Sequence, residues 1–103
     1  MRFLHFELAE VADGVRVLEA MASTAAGAHA EVLAEAQQVL EWAHASFAGR
    51  HGPLDEGLDW QHELQVNVEP GGWHTVTLTI AASARFVQAW REAFPGAMAD
   101  EIE

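Results

Sequence analysis

The stretch "HELQVNVEPGGWHTVTL", residues 62–78, decides the fold, because two alternating arms flank a proline and two glycines. From Trp60 onward, Trp60, His62, Leu64, Val66 and Val68 point to one side, while Gln61, Glu63, Gln65, Asn67 and Glu69 point to the other. This is the period of a half-buried strand. Beyond the break, His74, Val76, Leu78 and Ile80 share a face, with Trp73, Thr75, Thr77 and Thr79 opposite. Directly opposed residues of an antiparallel pair lie on one face. The apolar sets therefore coincide only when Val68 faces His74, Val66 faces Val76 and Leu64 faces Leu78. That register leaves Pro70, Gly71 and Gly72 as a short loop, read as a type I turn followed by a left-handed glycine.

The register also disposes of a metalloprotease reading of His62-Glu63. A zinc-protease helix needs a second histidine four positions on, where this chain has Val66. On the ladder His62 faces Ile80 and His74 faces Val68, roughly 20 Å apart at strand rise. They cannot share a metal.

The first quarter of the chain follows the same plan. Leu4, Phe6, Leu8 and Glu10 alternate with Phe3, His5, Glu7, Ala9 and Val11, and Arg16, Leu18, Ala20 and Ala22 alternate with Val15, Val17, Glu19 and Met21. A loop at Ala12 to Gly14 sets Leu8 against Leu18, Phe6 against Ala20 and Glu10 against Arg16, an oppositely charged cross-strand pair. An offset of about 58 positions lays this hairpin on the second in pattern, without residue identity.

A helix is expected after each hairpin. Thr24, or Ser23 before it, is the expected cap of a helix to about Phe47, with His29, Val32, Leu33, Ala36, Val39, Leu40, Ala43 and Phe47 as its apolar stripe. Ser83 caps a shorter one carrying Phe86, Val87, Trp90, Ala93 and Phe94, which Pro95 and Gly96 end. The chain therefore reads as α+β, ββαββα: a four-stranded antiparallel sheet with two helices on one face, built from two ββα halves. A single domain is expected over residues 1–97, with pseudo-repeats 1–48 and 59–96, linker 49–58, and a loose acidic tail at 98–103. Both helices are expected to cover the face of Leu4, Phe6, Leu8, Leu18, Leu64, Val66, Val76, Leu78 and Ile80.

Composition removes several kinds of chemistry. The net charge is −11, the five cations are all arginine, and cysteine and tyrosine are absent from the 103 residues. Such a surface repels phosphate backbones, so nucleic acid is excluded as a partner. Thiolate, Schiff-base amine and phenol chemistry is equally excluded, leaving histidine, carboxylate and arginine. No signal-peptide core follows Arg2 and no stretch reaches the ~20 apolar residues of a membrane span, so a cytoplasmic location is expected.

Function is sought on the face turned away from the helices. There Phe3, Val11, Val15, Val17 and Met21, with Trp73, form an apolar set that points to a homodimer interface. The register also places Glu7 opposite Glu19 with His5 nearby. These three are the candidate divalent-metal ligands, and Glu7 and Glu19 the candidate acid/base pair. His51, Asp55 and Glu56 are a further candidate cation clasp, whereas Glu41 and His44 read as a solvated helix flank. No cofactor is otherwise evident. The preferred reading is a non-enzymatic binding or interaction module working as a homodimer. Two alternatives stand beside it: a metal-assisted or acid/base enzyme acting on a small molecule through His5, Glu7 and Glu19, and an acidic protein that occludes a basic partner.

Overall fold

A computed structural model describes residues 2–11 and 14–98. The elements run β1 (Glu7–Glu10), β2 (Arg16–Ala25), α1 (Ala26–Ser46), a 3₁₀ turn (Leu54–Glu56), β3 (Trp60–Glu69), β4 (Trp73–Ala82) and α2 (Ala84–Ala93). The ββαββα order and the α+β class are those the periodicities predict. The four strands form one antiparallel sheet in the order β1-β2-β4-β3.

Both hairpin registers follow from matching apolar to apolar. Val68 faces His74, Val66 faces Val76 and Leu64 faces Leu78. In the first hairpin Glu7 faces Glu19, Leu8 faces Leu18 and Glu10 faces Arg16. The turn between β3 and β4 differs from the expected type I: Gly71 as well as Gly72 has positive φ, 87° and 85°. Proline followed by a positive-φ glycine is the signature of a type II turn, closed here by the Gly72 amide donating to the Glu69 carbonyl at 3.2 Å. The residues expected to turn the first hairpin include Ala12 and Asp13, which lie outside the described residues.

The halves meet along β2 and β4. Ala20 faces Leu78 at the middle of that ladder, with Leu18 against Ile80 and Ala22 against Val76 on either side. Ala20 and Leu78 are 58 positions apart, the offset that aligns the hairpins. The helix N-caps Ala25 and Ser83 are separated by the same offset.

Those caps are not chemically equivalent. Ser83 accepts the Phe86 amide as expected, but α1 begins at Ala26 with Ala25 as its cap and no side-chain bond. The expected cap at Ser23 or Thr24 is overturned because β2 keeps pairing with β4 through Ser23–Thr75, Thr24–His74 and Ala25–Trp73. Extended ladder geometry holds these hydroxyls away from the helix start, and the Thr75 hydroxyl donates to Ser23 at 3.1 Å instead.

The core lies on the helix side of the sheet. Leu4, Phe6, Leu18, Val76, Leu78 and Ile80 pack there with Val32, Ala36 and Val39 of α1 and Phe86 and Trp90 of α2, all buried. Each large side chain so placed contributes roughly 1.5–3 kcal/mol. The Phe6 and Trp90 rings meet edge to face at 5.1 Å. Phe6 does not pair with Ala20 as expected. Its amide donates to the Ala97 carbonyl at 2.8 Å and it bridges to Met98. Ala97 is buried and Met98, where the loose tail was expected to begin, packs on the core; residues 99–103 lie outside the described residues.

The helices cover less of the sheet than expected. α1 lies over β2 and β4, and the apolar face of β3 beyond His62 is left bare, with Leu64, Val66 and Val68 39%, 43% and 70% exposed. A helix is ~10 Å wide and neighbouring strands are ~4.8 Å apart. A helix centred on the inner pair therefore stops short of the edge.

Candidate functional site

Register alone sets which residues share the face turned away from the helices. Across the sheet, Glu7, Glu19, Thr79 and Glu63 form one row, and Ala9, Val17, Ala81 and Gln61 the next. Glu69 lies on the same face at the far end of β3. The arginines are elsewhere: Arg2 bonds Glu31, Arg16 lies beside Glu10, Arg50 and Arg85 bond Asp59, and Arg91 is on α2. Every formal charge on this open face is thus a carboxylate.

His5, Glu7, Glu19, Met21 and Thr77 line a hollow of about 260 Å³ on it. The structure brings the three sequence-predicted metal candidates together in this hollow. Glu19 is turned toward Thr79, whose hydroxyl donates to its Oε2 at 3.4 Å. Among the described residues, no group of three or more histidine, aspartate or glutamate side chains is placed to hold a metal ion.

The six expected interface residues separate. Val11, Met21 and Trp73 are exposed, and Val15 and Val17 are half-buried within the sheet surface. Phe3 leaves the face altogether and packs on the core. The cause is Glu35 of α1, whose carboxylate accepts the amides of Arg2, Phe3 and Leu4 at 2.9–3.1 Å. These bonds pull the lead-in to β1 under the helix. Trp42 of α1 packs edge to face on Phe47, Phe86 and Phe94.

Two clusters escaped the sequence reading. In the first, three imidazoles surround the buried Trp60. His44 lies 4.8 Å and His51 4.4 Å from its ring, and His51 Nε2 is 3.0 Å from His62 Nδ1. Burial, followed by the neighbouring His51 and His44, holds His62 below its ordinary value of 6.5. His44 and Glu41 are both exposed, as expected of a solvated helix flank, and the His44 ring lies against Trp60 from the solvent side. A short parallel bridge between His51 and Trp60 also covers the outer edge of β3 at its first residue.

The second cluster centres on buried Asp59. Arg85 donates from Nε and Nη2 at 3.0 and 2.6 Å, Arg50 Nε at 2.8 Å and the Ser83 hydroxyl at 2.8 Å. The Arg85 bond, assisted by Arg50 and Ser83 and opposed by burial, holds this carboxyl far below the usual carboxylate range. The fork ties the linker to the start of α2. The available signal was an aspartate placed directly before a strand, with three of the five arginines in the linker before it and the helix after the hairpin. At His29, the ring lies 4.4 Å from that of His74, tilted by 35°, while its Nδ1 is buried without a hydrogen-bond partner.

The remaining surface feature is β3. It is an edge strand, so one side of its backbone has no partner strand in the sheet, and Leu64, Val66 and Val68 stand bare beside that edge. No helix among the described residues is long and apolar enough to cross a membrane. Comparison with known proteins finds no matching family model, no matching curated protein and no matching solved structure.

Proposed function

We propose that this protein is a non-enzymatic binding module that works as a homodimer. The observation that carries the reading is the apolar row Leu64, Val66 and Val68, left uncovered next to an unpaired strand edge. Unprotected edges template pairing with another chain, and proteins that do not use them blunt them with lysine, proline or bulges. Within Trp60–Glu69 β3 has no lysine, proline or bulge, and its only charged residues, Glu63 and Glu69, are on the face opposite Leu64, Val66 and Val68. Sedimentation from about 1 to about 200 µM tests the reading, since an interface of modest area falls in the micromolar range. Concentration-dependent conversion to dimer is expected. A monomer throughout that range overturns it.

A second reading rests on the open face. Four carboxylates, Glu7, Glu19, Glu63 and Glu69, share it with no arginine, and the polar residues among them, such as Gln65, Asn67 and Thr77, can supply further hydrogen bonds. Such a surface complements a basic protein segment. Binding of an arginine-rich peptide that weakens on Glu19→Gln and Glu63→Gln, and with rising salt, supports this reading. Absence of binding at low salt removes it.

A further inference from the structure

Resting on the homodimer reading, we infer that two copies join through their β3 edges, antiparallel and centred on Gln65, into one continuous eight-stranded sheet. Residues 61–69 carry the free edge, since the His51–Trp60 bridge and the Gly52 amide bond to the Trp60 carbonyl already occupy its first residue. At ~3.4 Å per residue the free edge is ~31 Å long. With side chains on both faces, its pairing covers on the order of 450 Å² per copy, close to the ~1,000 Å² total at the small end of specific interfaces.

Two observations select the register. Opposed residues must share a face, so the two-fold axis passes through a residue, and Leu64, Gln65 and Val66 are the central choices. Centring on Leu64 would set Val68 of one copy against Trp60 of the other, where the His51–Gly52 segment already lies. Centring on Val66 would set Glu63 against Glu69 twice, and directly opposed like charges are destabilising. Centring on Gln65 avoids both faults. On the helix side it pairs Leu64 with Val66 and His62 with Val68, covering the bare row. On the open side it pairs Glu63 with Asn67 and Glu69 with Gln61, so each carboxylate meets an amide donor.

The chain contains no cysteine, which makes single cysteines unambiguous reporters of this geometry. Opposed Cα atoms in an antiparallel pair lie ~4.5–5.5 Å apart, within disulfide reach. Gln65→Cys, Leu64→Cys and Val66→Cys each face their own copy in only one of the three registers, and all three positions are exposed in the isolated chain. The experiment oxidises each variant mildly at about 50 µM, follows covalent dimer on non-reducing gels, and sediments the reduced proteins in parallel. At least ~10-fold faster crosslinking of Gln65→Cys than of the other two is expected. Reduced protein that dimerises while Gln65→Cys crosslinks no faster than Leu64→Cys or Val66→Cys overturns the pairing and leaves the homodimer standing. Reduced protein that stays monomeric overturns both.

Discussion

Replacing Asp59 by asparagine keeps the shape of the side chain and removes its charge. The buried carboxylate accepts two bonds from Arg85, one from Arg50 and one from Ser83. Breaking a fully buried ion pair costs ~3–5 kcal/mol. Here the side chain of Asp59 is 7% exposed but those of Arg50 and Arg85 are 40% and 66% exposed. Both guanidinium groups can rehydrate, so the expected loss is lower, about 2–3 kcal/mol. For a chain of this size that lowers Tm by roughly 10–20 °C. The penalty must also depend on pH. A carboxyl depressed in the folded state contributes stability above its ordinary value of 3.8, and that contribution is lost as pH falls below it. Urea titrations of the parent and Asp59→Asn from pH 7 to pH 3 are the assay. The gap between them should be full at neutral pH and narrow on acidification. A cost under ~0.5 kcal/mol at pH 7, or a gap that does not shrink, would refute the placing of this charge at the hub of the linker.

Further outcomes follow from other parts of the molecule. Val68→Lys should raise the dimer dissociation constant at least ~10-fold while shifting monomer stability by no more than ~0.5 kcal/mol, because the side chain is mostly exposed before association; sedimentation and urea melts measure the two separately. Ala25→Ser should stabilise by roughly 0.5–1 kcal/mol. Ala25 has φ −68° and ψ 161°, nearly the φ −79° and ψ 167° at which Ser83 caps α2, so an unchanged Tm would count against the missing cap. Because His62 is held below its ordinary 6.5, the unfolded chain takes the proton first, and stability should fall as pH drops below that value. His62→Gln should flatten the decline in urea melts between pH 8 and pH 5. Trp90→Ala should cost ~3–5 kcal/mol, read in the same melts, by emptying the site packed on Phe6.

The two hairpins were legible because their determinants are local. Alternation from Trp60 to Ile80, interrupted by Pro70-Gly71-Gly72, admits one pairing that buries apolar against apolar. The same holds for Leu8 with Leu18 and Glu10 with Arg16. Ser83 before an amphipathic run and Pro95-Gly96 after it bracket α2 just as clearly. The Glu7–Glu19 juxtaposition came with the register. What those carboxylates face did not, because Thr79 reaches Glu19 only through the pairing of β2 with β4.

Sequence by itself determined the elements, their order and each hairpin's register, since side-chain period and turn length act within some twenty residues. The tertiary structure decided which strands became neighbours and which became edges. With β2 and β4 joined at the centre, α1 settled over that pair and β3 was left with Leu64, Val66 and Val68 uncovered. The same association carried β2 on to Ala25 and displaced the expected helix cap. It also drew Asp59 to Arg85, Glu35 to the amides of residues 2–4, and His44 and His51 to Trp60. Most of these contacts join residues far apart in the chain. Their closure entropy is offset only by the packing of the whole core, so no local pattern encodes them.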